Sequence, residues 1–296
     1  MPPLHTPSRP RRAALLLALA LALALPSTAL RAQAPGVPIH EDGAEKQRIL
    51  RAAEALKEAG KLRTRASLHP KDAPQHCALQ LPPARNQPLP SSAVHEHARK
   101  GFMGIGTLYL CQKCDHWHTN TAGGYAITAD GIAATCFHVL ADSEVQMREG
   151  YVFAYNDAGE AFPVTEVLAA NQAADIALVR TEARGCSPLP LSTDGHPGDP
   201  VFCLSSPKDI RGLFTQGILS RYFRDPRKAV FLHVTTDWAA GSSGCAILDA
   251  CGNALGHVAS TRTLLWRDEN PAPKDVQMTL KQAASARELL QLTAPK

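Results

Sequence analysis

Val230-Phe231-Leu232-His233-Val234-Thr235, then Gly241-Ser242-Ser243-Gly244, then Cys245-Ala246-Ile247-Leu248, reads as strand, tight turn, strand. Short apolar runs separated by turn chemistry are the mark of β-structure. The turn holds a serine between glycines. A serine hydroxyl is a poor nucleophile until a base takes its proton, and acyl transfer also needs donors aimed at the developing oxyanion. Gly241 lets the backbone bend so that its own N–H and that of Ser243 face one way. Gly244 leaves space behind Ser243, and Ser242 occupies a variable place. Taken alone, Gly-Ser-Ser-Gly is also ordinary linker chemistry, but the flanking strands argue against a linker.

Working outward, two upstream stretches supply the missing chemistry. Ile132-Ala133-Ala134-Thr135-Cys136-Phe137-His138-Val139-Leu140 reads as an apolar strand with a histidine near its end. Ala174-Asp175-Ile176-Ala177-Leu178-Val179 puts a carboxylate at the mouth of another. A lone histidine on an apolar strand is more often a packed core residue, and such an aspartate is more often a turn or cap residue. Together they stand in the order His, Asp, Ser, one of the orders in which a catalytic triad is assembled. An aspartate in that place holds the histidine tautomer and stabilises the imidazolium formed during attack.

The rest of the chain reads mostly as β. Phe102–Leu110, Gly124–Thr128, Ile132–Cys136, Tyr151–Tyr155, Phe162–Leu168 and Ile176–Arg180 form one group of short strands. Val201–Leu204, Leu213–Tyr222, Val230–Thr235, Cys245–Leu248, Ala254–Ala259 and Val276–Leu280 form a second. Two such groups predict an all-β fold of two packed antiparallel six-stranded barrels, because closure removes exposed edges. Residues 41–60 read as a helix, with Asp42 and Glu45 resembling a capping box and Ile49, Leu50, Ala53 and Leu56 on one face. Residues 62–91 are broken by prolines into a loop or linker that either braces the main body or acts as a spacer. Ser91-Ser92 caps a short helix through Arg99, and Lys281–Leu292 has the composition of a C-terminal helix. The domain reading is a signal over 1–34, helix and Pro-rich linker over 35–90, and the main domain over 91–296. Its barrels fall at about 100–185 and 195–280, with no room for a further binding domain beyond them.

Arg9, Arg11 and Arg12 followed by the unbroken Ala/Leu run Ala13–Leu25 read as a secretory signal. The run is shorter than the roughly 20 residues that span a bilayer, so the mature chain is expected to have no stable membrane span; an uncleaved anchor is the alternative. Ser27 and Ala29 suit cleavage after Ala29. Arg11-Arg12 alone is weak evidence for twin-arginine export. The chain is therefore expected to be exported, periplasmic or extracellular. Its formal net charge of +4 falls to about +1 without the three early arginines, and no basic block remains. That excludes a phosphate-backbone reader. Eight cysteines in an exported chain point to a mixture of disulfides and buried thiols. Cys111-Gln112-Lys113-Cys114-Asp115-His116-Trp117-His118 stands apart. Cys111, Cys114, His116 and His118 are zinc-type ligands, but a local Cys111–Cys114 disulfide or unligated thiols fit the same letters. Haem attachment would need histidine where Asp115 stands.

The chain resembles the trypsin-like serine peptidases of the chymotrypsin fold, closest to the bacterial HtrA-like branch without its PDZ domain. Thr135-Cys136-Phe137-His138-Val139 is similar to that family's Thr-x-x-His-Val. Ala174-Asp175-Ile176-Ala177-Leu178 is similar to its Asp-(Leu/Ile)-Ala-Leu, and Gly241-Ser242-Ser243-Gly244-Cys245 to its Gly-Asn-Ser-Gly-Gly. Phe214–Ser220 and Gly256–Ser260 resemble a strand of the second barrel and the strand walling the specificity pocket. The resemblance spans about residues 100–265. It implies His138 as general base, Asp175 as its orienting carboxylate, Ser243 as nucleophile, and the N–H groups of Gly241 and Ser243 as oxyanion hole. It implies a polypeptide substrate, no cofactor, and a substrate pocket near Asp237, His257 and Ser260. Asp237 would attract Lys or Arg by analogy with digestive relatives, although a structural role is the safer reading. Cys245 departs from the family's small residue; it is either tolerated as one or tied to Cys251 across the Asp249–Asn253 turn. The expected function is an exported serine endopeptidase. The alternatives are an inert binding protein on the same fold, or a zinc or thiol protein using the 111–118 cluster. Nothing in the sequence reads out the oligomeric state.

Overall fold

A computed structural model describes residues 39–141, 146–266 and 275–294. The segment 1–34, read above as a signal, lies outside them. The first helix, α1 (Asp42–Glu58), forms as its apolar spacing predicts and buries Ile49 and Ala53. The expected capping box does not form: the N-cap residue is Glu41 and no side chain caps the helix. Asp42 instead accepts a bond from the Arg211 amide at 2.9 Å, and Glu45 accepts from Arg211 Nε at 2.9 Å. Both carboxylates thus fasten the helix to the main body rather than to itself. The Arg211 side chain is only 7% exposed, so it needs these acceptors.

Residues 62–91 are a brace, not a free spacer. A two-residue strand β1 (Arg63–Thr64) and two 3-10 turns interrupt otherwise irregular backbone. The backbone is bonded along the body: Cys77 N–H donates to Leu292 O at 2.8 Å and Leu79 N–H to Thr293 O at 3.0 Å. Leu89 N–H donates to Ala250 O at 2.8 Å. Helix α2 (Ser91–Gly101) then buries Val94 and Ala98.

The first sheet contains β2 (Met103–Cys111), β3 (Trp117–Ala122), β4 (Tyr125–Ala126), β5 (Ile132–Thr135), β6 (Met147–Asn156), β7 (Ala161–Asn171) and β8 (Ile176–Thr181). Their order is β3-β2-β6-β7-β8-β5-β4, with β1 paired to β6. The path is otherwise open, and an isolated bridge from Phe102 to Tyr125 joins its β2 and β4 ends, so the six strands expected here form a half-barrel with β3 added. The extra strand, β3, was not legible because its residues Trp117-His118-Thr119-Asn120-Thr121-Ala122 are polar and half-exposed. A second correction concerns His138. The apolar strand stops at Thr135, and His138 sits on a short helix, α3 (Phe137–Ala141).

The second barrel closes as expected. It contains β9 (Pro200–Ser205), β10 (Leu213–Arg224), β11 (Val230–Val234), β12 (Ala246–Leu248), β13 (Ala254–Leu265) and β14 (Val276–Ser285). The ring order is β10-β11-β14-β13-β12-β9. The last helix, α4 (Ala286–Thr293), begins after the expected Lys281, because residues 281–285 belong to β14. There Lys281 and Ala284 pair with Val234 and Phe231 of β11. Two-sided pairing overrides the helix propensity of Ala283 and Ala284. Ser285 caps α4 by accepting from the Arg287 amide at 3.2 Å. One apolar cluster runs through both halves, joining Ile176 and Leu178 to Phe202, Leu204 and Leu248. No helix among the described residues is long and apolar enough to cross a membrane.

None of the eight cysteines is in a disulfide, which corrects the expected mixture. Cys136, Cys203 and Cys245 are buried and pack as small apolar side chains. Burial pushes the Cys245 thiol up to about 12, and those of Cys136 and Cys203 well above the usual value. Cys245 is 1% exposed within the core, whereas Cys251 lies in the Asp249–Asn253 surface turn, so that pairing does not form.

Arg211→Ala removes the guanidinium that Glu45 accepts from, while the backbone amide bonded to Asp42 stays. It should cost about 1–3 kcal/mol, as charged hydrogen bonds do, and expose α1 to protease. An unchanged melting temperature and digestion pattern would show that α1 is held by its apolar face alone.

Candidate functional site

Asp175 occupies the turn between β7 and β8, with φ of +58°. That left-handed conformation disfavours most side chains but is accessible to aspartate. Asn171 Oδ1 accepts from the Ala174 amide at 3.1 Å and shapes the approach. The carboxylate then reaches α3 twice. Asp175 Oδ1 accepts from the His138 amide at 3.1 Å, and Oδ2 lies 2.8 Å from His138 Nδ1. On the other edge of the ring, His138 Nε2 lies 2.9 Å from Ser243 Oγ. With Nδ1–H donating to Asp175, the Nε2 lone pair faces the serine hydroxyl, which donates to it. The three side chains picked from the sequence thus meet in one hydrogen-bonded chain.

The turn carrying Ser243 is built by glycine at two points. Gly241 has φ of +99° and Gly244 of +89°. A side chain at Gly244 would place its Cβ 2.4 Å from Gly123 O and 2.5 Å from Thr135 Oγ1. In return Gly123 N–H donates to Ser243 O at 2.7 Å, and Thr135 Oγ1 donates to Gly123 O at 2.8 Å. Gly244 N–H donates to Val258 O at 2.8 Å. Among the described residues, neither the Gly241 nor the Ser243 amide donates to a protein acceptor. Ser242 is fully buried and its hydroxyl has no partner among the described residues. Gly123 was missed in the sequence as a site residue and nothing in its local pattern marks it, whereas Thr135 was read only as the first residue of the Thr135–Val139 motif.

The three pocket candidates separate. Ser260 lines a cleft of about 480 Å³ together with His138, Asp175, Phe223 and Phe231. Asp237 lines another cavity, beside Lys281. Its carboxylate is ion-paired with Lys281 Nζ at 2.5 Å, and that hydrogen bond holds it below the usual carboxylate range. Asp237 thus has Lys281 as a partner in this structure, with its own side chain 77% exposed. His257 is buried at 1% exposure and lines neither cleft. Its Nε2 lies 3.2 Å from Asp175 O, and Nδ1 has no partner among the described residues. It backs the aspartate from behind. In the outer hairpin, Cys111, Cys114 and His118 bring their ligand atoms within 4.8 Å of one another, and His116 falls outside that set.

Burial pushes the His257 imidazole below its usual range. The same cause lowers His97 and His233, with Arg85 and Arg221 adding to it respectively. An imidazole with a lowered folded pKa resists the proton that the unfolded chain accepts near pH ~6.5. The unfolded state then binds more protons as pH falls, so stability drops below that value. Melting temperature should fall from about pH 6.5 towards pH 5, less steeply in His257→Gln. An equal slope in that variant would remove His257 from the linkage.

Residues 122–256 match the family model of the trypsin-like peptidase domain. No curated protein sequence matches the chain. Among solved structures, the chain is similar to the HtrA-type protease AlgW with decapeptide, at TM-score 0.55 and 15% identity, over 69% of this chain and 67% of that one. It is also similar to a serine endoprotease from Yersinia pestis, at TM-score 0.51 and 17% identity, over 70% of this chain and 66% of that one. At these identities the likeness is one of fold, and the chain spans about two thirds of each structure's length. The segment that contains His138, Asp175 and Ser243 is thus similar to the trypsin-like peptidase domain.

Proposed function

We propose that this protein is an exported endopeptidase that cleaves polypeptides through an acyl-enzyme. The observation that carries the reading is the continuous chain from Asp175 Oδ2 through His138 to Ser243 Oγ, with links of 2.8 and 2.9 Å. Asp175 fixes the tautomer in which Nε2 accepts. As Ser243 Oγ attacks the scissile carbonyl, Nε2 takes the hydroxyl proton and becomes imidazolium, which the adjacent carboxylate stabilises. The carbonyl oxygen, now anionic, is met by the Gly241 and Ser243 amides. Collapse of the tetrahedral species passes the Nε2 proton to the leaving amine. Water repeats the sequence and frees the serine.

Export rests on the Arg9–Leu25 pattern alone, and places the enzyme in a periplasm or outside the cell. The peptide in the printed description of AlgW belongs to that protein; for this chain a polypeptide substrate is part of the proposal. The ion pair between Asp237 and Lys281 speaks against cleavage after Lys or Arg. The cleft beside His138 mixes Phe223 and Phe231 with Gln172, Asp225, Arg227 and Gln282 and so favours no single side-chain class.

Ser243→Ala should abolish peptide cleavage and labelling by a fluorophosphonate probe. Asp175→Asn should lower the rate by about 10⁴-fold, because the amide holds the wrong tautomer. Labelling of the Ser243→Ala protein at the wild-type level would remove Ser243 from the mechanism. A peptide library is expected to show no preference for Lys or Arg before the cut; a strong one would mean that Lys281 yields Asp237 to substrate.

A further inference from the structure

The β2–β3 hairpin carries a second constellation that the triad does not use. Strand β2 ends at Cys111 and β3 begins at Trp117, so the connecting turn presents Cys111 and Cys114 just before the return strand presents His118. The cross-strand register pairs Tyr109 with His118, and their rings stack at 5.5 Å. That fixes the plane of the imidazole. Its Nε2 lies 3.1 Å from Cys114 Sγ, and all three ligand atoms fall within 4.8 Å of one another. The turn is preshaped by its own backbone. Lys113 N–H donates to Cys111 Sγ at 3.3 Å, a bond that favours thiolate over thiol. Arg148 of β6 holds the turn from outside: its Nε donates to Cys111 O at 3.0 Å and its Nη2 to Cys114 O at 2.8 Å. The same guanidinium reaches Asp115 Oδ1 at 2.6 Å. Two sulfurs and one imidazole nitrogen are left facing a common point.

We propose that Cys111, Cys114 and His118 bind one Zn²⁺ at the tip of this hairpin. Two thiolates and one imidazole are a soft, tetrahedral-favouring set, and Cys-x-x-Cys is the spacing at which one turn offers both sulfurs to one zinc ion. Solvent takes the fourth position, since His116 lies outside the converging set. Coordination releases the thiol protons to solvent. The metal's role is structural: it ties the start of β3 to the end of β2, adding to the Leu110–Trp117 pairing that already closes the hairpin there. None of its ligands lines the cleft holding His138 and Asp175, so the site stands independently of the peptidase reading. The other convergent set, Cys136, His138 and Asp175, belongs to the triad. There burial and the Asp175 charge keep the Cys136 thiol protonated, which makes it a poor ligand.

The test uses the full chain purified without chelator. Elemental analysis should find about one zinc per chain, as one tetrahedral site requires. The metal-free, reduced protein titrated with Co²⁺ should develop thiolate-to-cobalt charge-transfer absorption together with tetrahedral visible bands. Cys111→Ser, Cys114→Ser and His118→Ala should each lose that spectrum or turn it to a weaker, altered form, whereas His116→Ala should keep it. Because the ligands sit on a half-exposed turn, circular dichroism should show the variants folded. Should a variant unfold, the wild-type titration alone decides: no cobalt spectrum overturns the proposal. So does a Cys111–Cys114 disulfide in peptide maps of protein that remains zinc-free after reduction and exposure to Zn²⁺. A spectrum untouched by His118→Ala would also overturn the assigned ligand set.

Discussion

The catalytic geometry depends on a backbone-to-backbone seam between Gly123 and the Ser243 turn. Gly123 N–H donates to Ser243 O at 2.7 Å. A Cβ on Gly123 would fall 2.2 Å from Cys245 Sγ, and one on Gly244 would fall 2.4 Å from Gly123 O. At this seam the half-barrel and the closed barrel approach backbone to backbone, with the Cys245 and Thr135 side chains alongside. His138 and Asp175 come from the first and Ser243 from the second. Only this close approach brings Ser243 Oγ within 2.9 Å of His138 Nε2. The small volume demanded at the seam also explains a thiol at Cys245, which is buried and slim enough to lie beside Gly123.

Much of this was legible. His138, Asp175 and Ser243 were found because each follows or opens a short apolar run and the three stand in the order His, Asp, Ser, although His138 itself sits on a helix. The second barrel was legible because its strands alternate with clear turns. What failed did so for physical reasons. Strand β3 is half-exposed and polar, so it carries no burial signal, and the register with β2 alone makes it a strand. The Lys281–Ser285 stretch reads as helix in isolation, yet β11 and β13 pair with it from both sides. Asp42 and Glu45 read as a helix cap, but their acceptor capacity is drawn off by Arg211, distant in sequence. Each miss is a tertiary contact overriding a local preference.

The cysteines show the same limit. An even count in a chain with a signal-like start suggested disulfides. The fold instead buries three of the thiols and sets Cys111 and Cys114 beside an imidazole. Count and spacing name the chemical possibilities; only the neighbours choose among them. Burial favours a neutral thiol, whereas backbone amide donors and a nearby histidine favour a thiolate ligand.

The seam is the account's central claim, and Gly244→Ala tests it most directly. The substitution adds one methyl group against Gly123 O at a residue with φ of +89°, leaving His138, Asp175 and Ser243 untouched. The measurement is the second-order rate of fluorophosphonate labelling in a variant shown folded by circular dichroism. A fall of roughly 100-fold or more is expected, comparable to losing one oxyanion donor. Labelling at the wild-type rate would mean that the nucleophile keeps its place without the seam.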